Sequence, residues 1–473
     1  MTPSDQALMS AAEAEVAEIA QNLIRFDTSN YGEGRSNGEA DAAAYCAALL
    51  TEAGLDVETV ESEPGRASIV TRIAGSDPGR PALVLHGHTD VVPAEPADWA
   101  RPPFAGDMVN GMLWGRGAVD MKGMDAMILA VVRQMSRAGQ RPRRDVIVAM
   151  FADEEAGGVL GAQWLVNHRP DLFAGATEAI SEVGGFSVQI AGRRAYLLQT
   201  AEKGLAWLRL VMRGQAGHGS AVTEDNAVAK LAESLVRIGR YEWPISLNSA
   251  TVALLQGVAD LTGLPFHAPG TASTSATSAC ATTAGSSGPE ISSLADQTAL
   301  RDQVAQLVAA LGPAAKFVAA TTRNTVNATG LAAGYKANVI PSEATATLDA
   351  RPLPGEAPAM MSVLRKLAGP DAVIEPIHED IGLEAPVATP LVAAMAAAIQ
   401  AEDPGAPVLP YCLGAGTDNK ALARLGIAGY GFAPLRLPAE LDFTGLFHGV
   451  DERVPVASLQ FGTRVLASML ANC

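Results

Sequence analysis

Imidazole and carboxylate side chains recur along the chain, most of them directly after an apolar run or inside a Gly-flanked turn. They are His88, Asp120, Glu155, Glu182 and His448. A hydrolytic pair of zinc ions needs such ligands, together with a bridging oxygen and a water held between the ions. Taken singly, each residue is more often a cap or a turn residue. Five in this order predict a dinuclear metal site, since three carboxylates and a hydroxide neutralise two zinc ions.

A second acidic residue, Glu154, stands directly beside Glu155 after an apolar run. Adjacent side chains point in different directions, so the two glutamates have different roles. One can bind metal while the other faces the bridging water as a general base. The alternative is an acidic cluster with a purely structural role.

The elements that must position these residues follow from the hydrophobic pattern. Helical periodicity covers about 5–25, 39–53 and 121–138, and apolar runs cover 68–73, 82–85 and 146–151. Strands that alternate with helices predict an α/β fold with a mainly parallel sheet. His88, Glu155 and Glu182 each come shortly after such a run, at the carboxyl edge where open α/β sheets bind ligands.

The pattern changes after residue 202. Strands at about 205–212, 344–350 and 373–377 and helices at 226–238 and 358–367 predict a smaller α+β domain. We expect residues 1–202 and 381–473 to form the catalytic domain and 203–380 to be inserted as a lid, because the last ligand candidate follows the insertion. The Gly, Ser and Thr-rich run 268–288 predicts a flexible surface insertion. We expect 241–324 to be surface decoration, with a wider substrate pocket as the alternative.

Composition narrows the class of protein. The chain has 473 residues, of which 48% are apolar and 18% charged, and it carries a net charge of −17. This length suggests two or three domains, and the negative field disfavours nucleic acid and acidic membranes. The four cysteines are widely spaced, the first 25 residues lack a signal-peptide pattern, and no apolar stretch is long enough to cross a membrane. We expect a soluble, cytoplasmic enzyme that binds neither nucleic acid nor membrane.

Taken together, the motifs resemble a known family. They are His88-Thr89-Asp90, Gly117-Ala118-Val119-Asp120-Met121-Lys122-Gly123, Asp153-Glu154-Glu155, Ser181-Glu182 and Phe447-His448-Gly449. Their order is similar to that in the dinuclear zinc amidohydrolases that include aminoacylases, carboxypeptidases, dipeptidases and succinyl-diaminopimelate desuccinylases, peptidase family M20. The resemblance extends from about residue 15 to the end of the chain. It implies a zinc-peptidase-like catalytic domain that carries two Zn²⁺, with Co²⁺ or Mn²⁺ as alternatives.

The resemblance also implies a role for each site residue. Asp120 would bridge the ions, His88 and Glu182 would complete one ion, and Glu155 and His448 the other. Glu154 would be the general base. The family's His-x-Asp pattern selects His88 over its neighbour His86 and makes Asp90 the residue that orients the His88 imidazole. A solvated turn residue is the alternative for Asp90.

Three residues of the lid resemble substrate-binding residues of the family. His218 and Asn338 would hydrogen-bond the scissile carbonyl or the developing oxyanion, and Arg351 would bind the free carboxylate of the substrate. The alternatives are a loop histidine without a partner and a strand-end salt bridge between Arg351 and Asp349. In some family members the lid histidine reaches the partner subunit, which makes a homodimer through the lid plausible.

The function predicted from these residues is hydrolysis of an amide or peptide bond next to a free carboxylate. The substrate would be an N-acyl-amino acid or a short peptide, so the enzyme is an N-acyl-amino acid amidohydrolase or a carboxypeptidase. A dipeptidase or a succinyl-diaminopimelate-type desuccinylase is the alternative. A non-catalytic binding module is disfavoured because Glu154 and the ligand candidates are all present.

Overall fold

The computed structural model describes residues 3–268 and 294–473. The helices are α1 Pro3–Ile24, α2 Ala40–Glu52, α3 Lys122–Arg137, α4 Ala162–His168, α5 Ala227–Arg240, α6 Ser249–Thr262, α7 Leu294–Ala309, α8 Ala315–Ala319, α9 Ala357–Ala368, α10 Pro390–Glu402, α11 Asn419–Ala423 and α12 Val456–Asn472. The strands are β1 Asn30–Gly32, β2 Arg35–Ser36, β3 Val57–Glu61, β4 Ala67–Ile73, β5 Ala82–His88, β6 Asp107–Val109, β7 Met112–Trp114, β8 Val146–Phe151, β9 Ala176–Ser181, β10 Phe186–Ile190, β11 Arg193–Glu202, β12 Leu205–Arg213, β13 Gly217–His218, β14 Thr325–Ala333, β15 Val339–Ile340, β16 Glu343–Arg351, β17 Ala372–Asp380, β18 Leu383–Glu384, β19 Val408–Leu413, β20 Ala428–Gly431 and β21 Arg453–Pro455.

The chain divides into two compact units. The first comprises Met1–Ala201, Leu383–Tyr411 and Gly416–Cys473, and the second comprises Glu202–Gly382 and Cys412–Ala415. The second unit thus lies within the sequence of the first.

A mixed sheet organises the first unit. Its order is β10-β11-β20-β9-β5-β8-β4-β3, and β18 and β19 also pair with β11. The neighbours β20, β9, β5 and β8 run parallel, whereas the flanking strands pair antiparallel. The predicted α/β fold is confirmed, with its parallel pairing concentrated in these four strands.

Burial explains the apolar sequences of the parallel strands. β5 and β8 are buried at every position, as expected for parallel strands that are covered on both faces. Val84 and Ile147 pack with Leu165 of α4 and Leu422 of α11 in one core cluster. Helix α3 packs against β5 and contacts α1 and α12. The core therefore holds the strand ends firmly where the candidate ligands begin.

The second unit is built on a four-stranded antiparallel sheet of order β14-β16-β12-β17. Leu208 and Leu348 from the sheet pack against Leu231 of α5 and Leu364 of α9. In β12, buried residues alternate with exposed ones such as Trp207, the pattern of a strand with one covered face. This is the α+β arrangement that the sequence predicts for the lid.

The segment 241–324 contains helices that the hydrophobic pattern does not predict. Its described residues include α6, α7 and α8, and α7 contacts both α6 and α8. Leu254, Leu255, Leu307 and Val318 are buried there. These helices therefore enclose apolar side chains of their own, and surface decoration stays a prediction for the role of the segment. The Gly, Ser and Thr-rich run predicted as a flexible insertion lies outside the described residues, apart from Ala268.

Two features bear on the environment of the protein. Within the described ranges, no helix is both long and apolar enough to cross a lipid bilayer. Cys46, Cys412 and Cys473 are buried, and no disulfide joins them to one another. Cys280 lies outside the described residues.

Candidate metal centre

Three neighbouring parallel strands end beside one another and supply most of the candidate ligands. β5 ends at His88, directly opposite Phe151 at the end of β8. Glu154 follows β8 after a short turn, and Glu182 follows β9 immediately. The carboxyl ends of parallel strands meet at one edge of a sheet, which brings residues far apart in sequence together.

Left-handed backbone conformations occur at or beside the ligand positions. Asp153, Val183 and His448 have φ angles of 69°, 52° and 56°. Non-glycine residues rarely adopt this conformation, and such positions concentrate at functional sites. Asp153 precedes the short 3-10 turn Glu154–Ala156, and Val183 follows Glu182. The turns that hold Glu154 and Glu182 therefore each contain a residue in the left-handed conformation.

Asp120 lies between two imidazoles. Its Oδ1 is 3.2 Å from His88 Nε2, and its Oδ2 is 3.2 Å from His448 Nε2. Glu155 Oε2 is 3.1 Å from the same nitrogen of His448, and Glu182 Oε2 is 3.7 Å from His88 Nε2. The structure thus brings the five predicted ligands together in two groups that share Asp120.

The donor set fits divalent cations. Ligand atoms of His88, Asp120 and Glu155 lie within 4.8 Å of one another, as do those of His88, Glu154 and Glu182. Imidazole nitrogens and carboxylate oxygens are donors that zinc takes. Glu154 Oε2 is 4.0 Å from His88 Nε2, and Glu154 belongs to the second of these groups.

Negative charge is in excess around these donors. Burial raises the pKa of Glu154 and of Glu182 well above its ordinary value, and nearby carboxylates raise both further. Burial followed by the charge of Asp120 also raises the pKa of Glu155. Like charges buried together disfavour ionisation. Bound divalent cations would remove this penalty, which is a second reason that the donor set suits metal.

The imidazoles shift in the opposite sense. Hydrogen bonds to Asp120 and Glu155 raise the pKa of His448 to about 10. Burial opposes the charge of His88, but Glu182 and Asp120 outweigh it and raise its pKa well above the ordinary value. Metal ligation requires neutral imidazoles, so metal binding to this protein would release protons.

Asp90 contacts both the imidazole and the turn with the two glutamates. His88 Nδ1 is 3.0 Å from the main-chain oxygen of Asp90 and 3.4 Å from its Oδ1. The Asp90 carboxylate accepts hydrogen bonds from the main-chain N–H groups of Glu154 and Glu155, both at 3.1 Å. Asp90 is fully buried. It therefore couples the orientation of the His88 imidazole to the positions of Glu154 and Glu155.

His86, the rival of His88, has a different environment. Its Nε2 is 2.9 Å from Oδ1 of Asn419, and its ring packs against Phe151. Burial lowers the pKa of His86 to about 4. It therefore remains neutral and faces an amide instead of the acidic group around His88.

Glu452 is a fully buried carboxylate that none of the sequence motifs indicates. It connects the loop that ends at Asp120 with the loop that follows His448. It accepts hydrogen bonds from Arg116 Nη1 at 2.7 Å and from the main-chain N–H groups of Val119 at 2.6 Å and Asp120 at 3.0 Å. Arg116 Nη2 also donates to the main-chain oxygen of His448 at 3.5 Å. In the sequence Glu452 is marked only by its position shortly after His448, and this position does not distinguish it from an exposed acidic residue.

The lid candidates His218 and Asn338 lie close together in the second unit. β13 pairs with β15, which places His218 opposite Val339, and the Gly219 N–H donates to the main-chain oxygen of Asn338 at 2.8 Å. Both candidate side chains belong to exposed residues. His218 Nδ1 is 2.8 Å from Ser220 Oγ.

Arg351 ends β16 in the same unit. Its Nε and Nη2 donate to the two carboxylate oxygens of Asp349 at 2.7 and 3.1 Å. This is the strand-end pair that sequence analysis gives as the alternative to substrate binding. The Arg351 side chain is 26% exposed, so its guanidinium also reaches solvent.

A family model described as peptidase family M20/M25/M40 matches residues 84–472. The chain belongs to this family. The resemblance inferred from the motifs is therefore confirmed, and the protein is a hydrolase of a metallopeptidase family.

Curated relatives and a solved structure agree with this placement. Aminoacylase-1 of Sus scrofa is 32% identical over 40% of this chain and 46% of its own length, so that match spans about half of the relative. N-fatty-acyl-amino acid synthase/hydrolase PM20D1 of Xenopus tropicalis is 23% identical over 97% of this chain and 86% of its own. The metallo-carboxypeptidase Sso-CP2 of Sulfolobus solfataricus shares the fold, with a TM-score of 0.65 and 19% identity over 100% of this chain and 99% of its own.

Proposed function

We propose that the protein is a dinuclear zinc amidohydrolase that cleaves an amide next to a free carboxylate, with N-acyl-amino acids as its main substrates. The observation that carries this proposal is Asp120, whose two carboxylate oxygens face His88 and His448 separately. The names aminoacylase-1 and N-fatty-acyl-amino acid synthase/hydrolase of two relatives support the substrate class.

In this proposal Asp120 would contribute to the ligand sets of both ions. His88 and Glu182 complete one ligand set, and Glu155 and His448 complete the other, in accordance with the two groups of contacts. Bound zinc supplies a Lewis acid for the carbonyl and lowers the pKa of a water molecule.

Glu154 is the proposed general base. Its carboxylate lies beside the ligand group, while its main-chain N–H is held by Asp90. Burial raises its pKa towards the range in which a carboxylate accepts a proton from water and then transfers it to the leaving amine. Because the Glu155 carboxylate pairs with His448, Glu155 is the proposed ligand and the adjacent Glu154 the proposed base.

The lid residues are proposed to bind the substrate. Asn338 and His218 would donate hydrogen bonds to the developing oxyanion, a role in which exposed, lightly bonded side chains can rearrange around a ligand. Arg351 would exchange a contact with Asp349 for the free carboxylate of the substrate. That exchange selects acids over amides.

A homodimer through the lid is the proposed assembly. Among the described residues β17 pairs with β12 alone, so its other edge can accept a strand from a second copy. Val373 and Ile377 of this strand are 42% and 49% exposed. Light scattering on the purified protein tests this assembly, and a monomer at all concentrations contradicts it. The wide spacing of the four cysteines in the sequence favours a reducing, cytoplasmic location.

The central experiment combines metal analysis with a substrate panel. We expect two zinc ions per chain and hydrolysis of N-acyl-amino acids, with dipeptides and N-succinyl-diaminopimelate as the competing substrates. Glu154→Gln should retain the metals and lose activity about 10³-fold or more, because it removes the base and leaves the ligands in place. Glu155→Gln is the matched control and should lose metal. A wild-type protein that binds no metal would contradict the proposal, and a preference for dipeptides would redirect it.

A further inference from the structure

A buried row of polar side chains connects the metal centre to the start of α2. No member is more than 7% exposed, and its members are Asn30, Glu39, Arg66, Asp90 and Asp153. Such a row is costly unless it is bonded throughout, since buried polar groups forfeit their interactions with water. Its contacts indicate what it is for.

Asn30 joins two of the carboxylates. Its Nδ2 donates to Asp90 Oδ2 at 2.9 Å and to Asp153 Oδ1 at 3.1 Å. One amide thus ties the residue that contacts His88 to the residue that begins the turn with Glu154. The Asn30 amide is itself oriented, because its Oδ1 accepts a hydrogen bond from the Gly32 N–H at 3.1 Å.

Arg66 supplies the positive charge of the row. Its Nη2 is 2.6 Å from Asp153 Oδ1 and 2.9 Å from Glu39 Oε1. Asp153 Oδ2 accepts from the Leu160 N–H at 2.8 Å, so both oxygens of this carboxylate are engaged. Burial, with the charge of Asp90, raises the pKa of Glu39 to about 8.

Asp153 needs this support because its backbone is in the left-handed region, at φ 69°. Its main-chain oxygen accepts from the N–H groups of Ala156 at 3.2 Å and Gly158 at 2.7 Å, which closes the turn. If its carboxylate lost Arg66, the turn would relax towards an ordinary conformation. Glu154 lies in that turn.

We infer that Arg66 is a positioning residue for the metal centre: with Asn30, it holds the Asp90 carboxylate and the turn Glu154–Ala156 in the arrangement that binds metal. This inference rests on the proposed function, which makes that arrangement a metal site. Residues that orient metal ligands through a hydrogen bond typically contribute 10–100-fold to metal affinity.

Arg144 provides a matched control at the other end of β5. It is buried to a similar extent, pairs with Glu178 at 2.6 Å and donates to the main-chain oxygen of Ala82, where β5 begins. Arg66→Met and Arg144→Met both leave a carboxylate without its cation. A purely structural role would make the two variants alike in every measurement.

The first measurement is zinc affinity by competition with a chelator. We expect Arg66→Met to bind zinc about 10–100-fold more weakly, Arg66→Lys to recover most of that loss, and Arg144→Met to stay within about threefold of wild type. At saturating zinc, kcat of Arg66→Met should fall while KM changes less than about threefold, because Glu154 is displaced and the lid is untouched. Equal affinities of the two methionine variants would overturn the inference.

The second measurement is amide hydrogen exchange of the metal-free protein, followed by mass spectrometry. The N–H groups of Glu154 and Glu155 donate to Asp90, so Arg66→Met should accelerate their exchange about tenfold while Arg144→Met does not. If Arg66→Met fails to fold, Asn30→Ala makes the same test with a smaller change. Unchanged exchange in the peptides that contain Glu154 and Glu155 would reject the role of Arg66, whether or not the wild type binds metal. Absence of metal binding by the wild type would instead contradict the proposed function.

Discussion

The metal-site residues and the lid residues are held in contrasting ways. In the first unit His88, Asp90 and Glu182 are buried, and their contacts come from several strand ends and loops. In the second unit the residues His218 and Asn338 are exposed, and the contacts described for them are with neighbouring chain segments. The first arrangement is built before any ligand arrives. The second is able to change when a substrate binds.

Electrostatics gives this contrast its physical basis. Buried carboxylates such as Glu154 and Glu182 have strongly raised pKa values, so the unliganded metal site stores unfavourable interactions that a cation relieves. Exposed lid residues carry little of this cost, because water solvates them. Perturbing the first region should therefore change metal binding and stability, and perturbing the second should change catalysis alone.

Metal removal should produce the largest effect. A chelator should lower activity at least about 10³-fold, and added zinc should restore it, because both the Lewis acid and the activated water depend on the ions. The free energy of unfolding of the metal-free protein should also be lower, by about 3 kcal/mol for each zinc ion, than that of protein in zinc at 100 times the dissociation constant. Thermal unfolding and kinetics measure both, with magnesium as the control ion. Full activity in the presence of chelator would remove the distinction between the two regions.

Lid substitutions come next. Asn338→Ala and His218→Ala should each lower kcat about 10²–10³-fold, since each removes a donor to the oxyanion. Zinc content and melting temperature should stay at wild-type values, because neither residue is a proposed metal ligand and both are exposed. Tyr335→Ala, at an 84% exposed lid residue, is the control and should leave kcat unchanged. Loss of zinc from either lid variant would show that the regions are not separable in this way.

Substitution of Glu452 tests the buried supports of the first region. Glu452→Gln should weaken zinc binding about 10–100-fold, because the amide cannot accept all the hydrogen bonds that hold the loop before Asp120. Asp403→Asn is a suitable control, since Asp403 also accepts from an arginine and a hydroxyl, those of Arg194 and Tyr196. Metal titration distinguishes them. An equal loss in both would reduce Glu452 to a general contributor to stability.

The smallest effect concerns pH and the second unit. Burial lowers the pKa of Lys203 to about 7 from 10.5, so between these values the unfolded chain binds more protons than the folded chain. Raising the pH through this window therefore stabilises the folded state, by about 1–2 kcal/mol between pH 7 and 9. Denaturant unfolding of Lys203→Met should lack this rise, whereas Lys336→Met, at an exposed position, should keep it. A wild-type stability that does not rise with pH over this range, or a rise that persists in Lys203→Met, would contradict the assignment to Lys203.

Hydrophobic pattern predicts much of the fold because it reports burial directly. The fully buried runs of β5 and β8 and the helix α3 lie within a few residues of their predicted bounds. The helices α6 and α7 were not predicted, since the low-complexity run that follows α6 dominates the appearance of that segment. Strands of two residues, such as Gly217–His218 and Val339–Ile340, are too short to show a hydrophobic periodicity, so their pairing could not be predicted.

The sequence by itself determined the family, the hydrolase class and a list of candidate ligands, because motif order and residue chemistry are local properties of the chain. Only the tertiary structure decided that Asp120 faces His88 with one oxygen and His448 with the other. It also decided that Asn30 and Arg66 contact Asp153 and that Glu452 accepts from the Asp120 N–H. The physical reason is that these contacts join strand ends and loops that are distant in the sequence. An isolated acid or asparagine carries no sign of the buried partners that make it functional.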